Sequence, residues 1–336
     1  MLDKKFSFDT NIQKEALLNE FKGNLFEYLT GLSFSRLNGF EDEYILSLSE
    51  KLKEKFISYD RWLWNNDPYL QKRLPILAQD TAGALFDYVD GGSIDSIRVI
   101  GKEDSLELKQ NYHEGDLLLV NSDGVLPVSL KLCKYNSFVN TKSGGIKSFI
   151  EKYFSVYKES SRYQKELNMV VERCFLKMGH ELYGMLGMDF SEKFGPEWSE
   201  ALMPELPGQL DQEMREVVLS NYHEVILVLY GIFEELASDE HTFKKCLLPL
   251  LGLSNDRIIQ CICFHGDGYQ QKGIRIHDIE RIMSELKSIR LGSVKEAKSS
   301  FEIFLEDFIL QIRIKPMNKF IVPAHKVNCS VRYNGR

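Results

Sequence analysis

The chain has 336 residues, of which 43% are hydrophobic and 27% charged, and its formal net charge is -7. This is ordinary globular composition, long enough for one sizeable core with appended segments or for two domains. The acidic balance excludes a protein held to nucleic acid by overall charge, but leaves room for a local basic cleft.

Six cysteines stand at 133, 174, 246, 261, 263 and 329, with no Cys-x-x-Cys pair. They are expected to be reduced core thiols of a cytoplasmic protein rather than zinc ligands. The first residues, MLDKKFSFDTNIQKE, lack the layout of a signal peptide, and nowhere do about 18 apolar residues run together. The expectation is a soluble protein without a membrane span.

Taken in chain order, residues 10–58 place Leu17, Leu18, Phe21, Leu25 and Leu29 at helical spacing, and DEYILSLSEKLKEKFISY repeats the pattern. DRWLWNNDPYLQKRLP (60–75) reads as a break, and helix resumes over 76–89 until Gly91-Gly92. SIRVIG reads as a strand. Two apolar runs joined by Asn121-Ser122-Asp123-Gly124 read as a hairpin. A Gly-rich polar loop and a helix over 144–157 follow. Residues 161–251 are mostly helical, DRIIQCICF returns to strand, and HDIERIMSELKSI to helix. The tail from 301 is β-rich. These elements predict a mixed α/β fold with a helical N-terminal region (1–75), an α/β core (76–265) carrying a helical insertion (161–251), and a C-terminal segment (266–336).

The hairpin carries the chemistry. A loop at 122–123 or at 121–124 gives one register, in which facing positions sum to 245. Asp116 then faces Ser129, and Lys131, two residues on, shares that face. Val128, Leu130 and Leu132 take the other. A one-residue slip would bury Lys131 among the leucines, so patterning enforces the register. A carboxylate there can hold Mg²⁺, which lowers the pKa of bound water and stabilises charge on a phosphodiester in flight. A neighbouring lysine can orient that water and neutralise the phosphorane.

At these residues the sequence resembles the PD-(D/E)XK nuclease superfamily, whose fold is that of type II restriction endonucleases. The family places an Asp at the start of one strand and (Asp/Glu)-x-Lys in the next. Asp116 maps to the first acid, Lys131 to the lysine, and Ser129 to the second acid, a Ser-x-Lys variant. The resemblance covers about 114–151, with the helix at 76–89 as a family helix before it. It implies a mixed central sheet of restriction-endonuclease type flanked by helices, Mg²⁺ as cofactor, double-stranded DNA as substrate, and a homodimer for cutting both strands of a palindrome. The missing acid would come from Asp80 or Glu151, with Glu114 a weaker candidate. Pro127 favours an edge strand.

The polar stretch after the lysine strand offers Lys134, Asn136, Asn140 and Lys142, with backbone N–H groups freed by two glycines, as DNA-phosphate contacts. Arg313 and Lys315 share one face of a later strand and could track a backbone, although such lysines also protect edge strands from aggregation. The loop FHGDGYQQKG (264–273) is a further candidate DNA contact. His180-Glu181 has no second His at metalloprotease spacing and reads as helix packing. The readings that compete with a nuclease are a non-catalytic DNA-binding protein on the same fold and an α/β interaction protein.

Overall fold

A computed structural model describes residues 11–100, 115–253 and 257–333, and among them it has ten α-helices and two five-stranded sheets. The mixed α/β class expected from the sequence holds. The chain divides into two compact units, the first running to Ser137 and including Leu253–Ile282, the second formed by Phe138–Gly252 with Met283–Arg336.

The first unit opens with α1 (Asn11–Asn38), α2 (Glu41–Ser47), α3 (Glu50–Asn66) and α4 (Pro68–Tyr88). The expected break at 60–75 is a single residue. Asp67 accepts from the Leu70 N–H at 2.9 Å and caps α4, whose first residue is Pro68. An Asp-Pro pair of this kind starts a helix without ending the helical region. Pro75 lies inside α4, so the boundary expected at 75/76 falls within one helix.

Strands β1 (Ser96–Val99), β2 (Leu117–Asn121), β3 (Gly124–Lys134), β5 (Ile259–His265) and β6 (Gln271–His277) form the first sheet in the order β1-β2-β3-β5-β6. β3 and β5 run parallel and every other neighbour is antiparallel, so the sheet is mixed. Between β3 and β5 the chain builds most of the second unit. One face of the sheet carries Leu117, Leu119, Val128, Leu130, Cys261 and Cys263, buried in one cluster with Leu77, Ala78, Ala82 and Leu85 of α4. The other face is also covered: Leu118, Ser129, Gln260, Ile262 and His277 are all buried. Pro127 does not mark an edge strand. The parallel ladder begins one residue past it, at Val128↔Ile259, so β3 is central from there onward.

In the second unit β4 (Val139–Gly145) is followed by α5 (Phe149–Tyr153), α6 (Ser160–Met185), α7 (Pro196–Glu200), α8 (Gln212–Leu236) and α9 (Glu240–Leu250). After α10 (Ile279–Glu285) come β7 (Arg290–Leu291), β8 (Ser300–Phe304), β9 (Phe308–Pro316) and β10 (His325–Tyr333). The second sheet is antiparallel throughout, in the order β4-β10-β9-β8-β7. Its inner face buries Phe301, Ile303, Leu310, Ile312, Ile314, Val327, Cys329 and Val331. Phe233 of α8 meets Phe301 edge-on at 5.3 Å. α8 alone among the described helices is long and apolar enough to cross a membrane by length and composition. In this unit it is a core helix, with Val225, Ile226, Leu229 and Phe233 fully buried. All six cysteines are free, and five are buried.

The predicted loop after Lys134 is mostly strand. Only Tyr135–Ser137 turn, and β4 then pairs with β10, setting Gly144 against Val327 and Gly145 against Lys326. The two glycines are therefore ladder residues, not the free anion-binding donors expected of them. The helix predicted over 144–157 shrinks to a 3₁₀ turn at Ile146–Ser148 and α5.

Candidate active site at the open end of a hairpin

The hairpin has the register expected from its sequence, with Leu117 facing Val128 and Asn121 facing Gly124. Its turn is Ser122-Asp123. The Asn121 side chain accepts from the Asp123 N–H at 3.0 Å, and Gly124 takes φ of +126°, which a side chain would strain. At the other end Asp116 stands just before β2. Its N–H bonds the Val128 carbonyl at 2.7 Å, and its own carbonyl accepts from Ile100 at 2.9 Å. Both sides of its backbone are held.

The side chains converge as expected. Asp116 Oδ2 accepts from the Leu130 N–H at 2.7 Å, lies 3.5 Å from the Ser129 hydroxyl, and pairs with Lys131 Nζ at 3.6 Å. The carboxylate thus closes the β2–β3 ladder where the backbone of β2 leaves it. Oδ2 has three donors, whereas Oδ1 has none among the described residues. The side chains of Asp116 and Lys131 are 22% and 29% exposed, open enough for a substrate oxygen to reach either. Ser129 is buried beside them.

The cross-strand register extends this site by two residues that sequence reasoning did not single out. Ser129 is level with Gln260 on β5, and Gln260 with His277 on β6. Asp116, Ser129, Gln260 and His277 therefore make a polar row across four neighbouring chain segments, on the face away from α4. Gln260 and His277 are buried, and burial pushes the His277 imidazole down to about 3, with Arg275 and Arg281 adding to the shift. The signal was present in IIQCICF, where one amide interrupts an otherwise apolar strand. Its meaning needed the partner strand.

Other sequence candidates lie elsewhere. Asp80 is on the opposite side of the sheet: it neighbours Cys263 and lines an open groove of about 870 Å³ with Arg36, Gln79 and Gln271. The sheet separates it from Asp116, so it does not complete that site. Glu151 belongs to the second unit, exposed on α5, with its N–H directed at Gln164. Glu114 lies outside the described residues. Lys134 pairs with Asp267 at 2.7 Å, both largely in solvent. Asn136 has φ of +61° in the turn after β3, a left-handed conformation that asparagine tolerates, so its place is explained without a ligand. In the loop that supplies Asp267, Tyr269 is tied to Asp67 by a 2.9 Å hydrogen bond. His180 packs edge-on against Phe190.

In the second unit, a bulge in β4 at Thr141 puts neighbouring candidates on opposite faces. Asn140 is level with Ser330, but Lys142 is level with the buried Cys329 and lies 5.9 Å from the Tyr153 ring. Burial, then the charge of Lys152, lowers the Lys142 pKa. Lys142 is thus an inward-facing residue, contrary to its expected role on a DNA-facing loop. Arg313 and Lys315 do share an exposed face, on β9. Among the described residues no group of three or more His, Cys, Asp or Glu side chains converges.

Compared with protein-family models, curated proteins and solved structures, the chain matches none.

Proposed function

We propose that the protein is a Mg²⁺-dependent endodeoxyribonuclease of the restriction type, with Asp116, Ser129 and Lys131 as its site. The observation that carries this reading is the Lys131–Asp116 approach of 3.6 Å at the open end of the hairpin, with Ser129 between them. An acid and a lysine on adjacent antiparallel strands of a helix-flanked mixed sheet are what a restriction-endonuclease-like core requires.

The donor set suits a hard cation. Asp116 offers an oxygen without a protein donor, the Ser129 hydroxyl offers a second, and Mg²⁺ keeps several waters and takes substrate phosphate oxygens besides. Bound there, the ion would acidify a water and offset charge on the phosphoryl group. The residues of the chain do the remaining work. Leu130 N–H and Lys131 hold the Asp116 carboxylate in orientation. Lys131 donates to the attacking water or to a non-bridging phosphate oxygen as the water oxygen bonds to phosphorus and gives its proton to solvent, while one P–O bond breaks and the departing sugar oxygen takes a proton from solvent water. A DNA substrate would place the protein inside the cell, and a palindromic site cut on both strands would take two copies of the chain.

One observation favours a second reading, a DNA-binding protein that does not cut: among the described residues Asp116 is the single carboxylate in the site. Incubation with mixed-sequence plasmid or phage DNA decides between them. Discrete fragments with Mg²⁺ and none with EDTA are expected of the nuclease. Shifted but intact DNA across Mg²⁺ and Mn²⁺ would instead support the second reading.

A further inference from the structure

The outward face of the second sheet is polar and its charges are segregated. Alternate residues of β8, β9 and β10 point away from the core. Reading across the register, Lys315 is level with Lys326 and Gly145; Ser300 with Arg313, Asn328 and Ser143; and Glu302 with Gln311, Ser330 and Asn140. A fourth row runs from Arg290 through Phe304 and Ile309 to Arg332. Five cations therefore share the face with one carboxylate, in a chain whose net charge is -7.

The first two rows are the most telling. Lys315 and Lys326 are directly opposed and Arg313 lies on the same strand as Lys315, an arrangement that is destabilising in itself. Among the described residues no acid pairs with any of the three. The Lys315 ammonium is depressed by burial and by Arg313 and Lys326, which are its charged neighbours. Protection of an edge strand does not explain Arg313 and Lys326, which have ladder partners on both sides, Ser300 and Asn328 for the first and Lys315 and Gly145 for the second; Lys315 lies one step past the end of β8. Concentrating like charge on a central, solvated face is useful if the face receives an anion.

We propose that this face docks the sugar–phosphate backbone of duplex DNA. The proposal rests on the nuclease reading for the choice of DNA, and on the sheet alone for the polyanion. Cations flanked by neutral donors, here Asn328, Ser143 and Ser300, are the side chains that bind phosphate oxygens. Single strands are bound by stacking bases on free aromatic rings. Here Phe304 is covered by the Arg290 guanidinium at 4.3 Å, and Phe138, beside the face, by that of Arg332 at 4.8 Å. A membrane would need exposed apolar side chains, which the lysine rows lack. Gly145 leaves open space beside Lys326, so a phosphate can approach without displacing a side chain.

The test is fluorescence anisotropy with a mixed-sequence 30-base-pair duplex, in EDTA, across a salt series, using the full chain. Asp116→Ala serves as the background, so cleavage plays no part. Lys315→Gln with Lys326→Gln should weaken binding at least tenfold and lower the salt slope by about two, one for each lost phosphate contact. Gly145→Glu, which deletes nothing, should also weaken binding, and Glu302→Gln should tighten it. Each variant is first matched to the parent by circular dichroism and melting temperature. Unchanged affinity and slope in folded variants would overturn the proposal. So would binding to phosphatidylserine vesicles, or to an unstructured single strand, in preference to duplex. Absence of Mg²⁺-dependent cleavage by the parent chain, with this duplex binding present, would count against the nuclease reading alone.

Discussion

In the first sheet, Lys131 leaves an otherwise apolar stretch of strand and finds Asp116 at 3.6 Å. In the second, Lys315 faces Lys326 with no acid between them. The first sheet is buried on both faces, and Asp116 and Lys131 meet at its open end as a compensated pair. The second turns one face to its core and carries on the other Arg313, Lys315 and Lys326, with no acid paired to them among the described residues. The contrast separates two uses of charge. A compensated pair held by backbone bonds gives fixed geometry, which chemistry needs. An uncompensated patch gives a field, which docking needs.

The sharpest way to break the first half of this comparison is to alter neighbours on β3. Leu130 is buried against α4, whereas Lys131 faces the other way. Leu130→Ala should cost about 2–5 kcal/mol of stability by leaving a cavity. Lys131→Ala should cost under about 1 kcal/mol, as partly exposed ion pairs do. Urea denaturation measures both, and equal losses would mean that the register is wrong.

Acid probes the same row through His277. Its folded pKa of about 3 lies below the usual value of 6.5, so the unfolded chain binds the extra proton. The stabilisation tied to the neutral ring is complete above pH 6.5 and is lost as the pH falls from there toward 3. Across that window it contributes a slope of up to about 1.4 kcal/mol per pH unit. His277→Gln should remove that share of the slope in denaturation curves taken between pH 7 and 4. A variant as acid-sensitive as the parent would show that the titration belongs elsewhere, His325 being the next buried imidazole, depressed to about 4.

Smaller effects sharpen the second half. Lys142→Ala should lose about 0.5–1 kcal/mol, the worth of a cation held over an aromatic ring, and leave the salt dependence of DNA binding unchanged. A reduced salt slope would return Lys142 to the outer surface. Lys315→Ala should do the reverse, raising stability by about 0.2–1 kcal/mol as it relieves a like-charged cross-strand pair. A fall in melting temperature would indicate that Lys315 has a partner.

How much of this could be read beforehand follows from where the information lies. The hairpin register was legible because turn and apolar alternation are local and agree with each other. Asp116, Ser129 and Lys131 came together for that reason alone. β4 was not legible: VNTKSGG has no apolar alternation, and it is a strand because β10, far along the chain, supplies its ladder. Lys142 was misplaced with it, since the Thr141 bulge reverses the face on which it points. Asp80 was assigned by its position on a helix near the hairpin, whereas the side of the sheet that α4 covers depends on packing. Gln260 could be noticed as an oddity in its strand, but its neighbourhood with Ser129 is a parallel pairing between distant segments. Local pattern gave the pair, and tertiary pairing gave the row around it.

The central claim is that the hairpin end performs chemistry more than it holds structure, and Asp116→Ala tests it most directly. Cleavage of plasmid DNA with Mg²⁺ and urea stability should be measured on the same preparation. The account predicts a loss of activity of about 10³-fold or more, the scale of removing a principal electrostatic group, with the fold intact and DNA still bound in EDTA. Ser129→Ala, measured alongside, should cost about tenfold or less, because water can replace a hydroxyl. A variant that unfolds more easily yet cuts as well as the parent would contradict the account, and would make Asp116–Lys131 a structural ion pair.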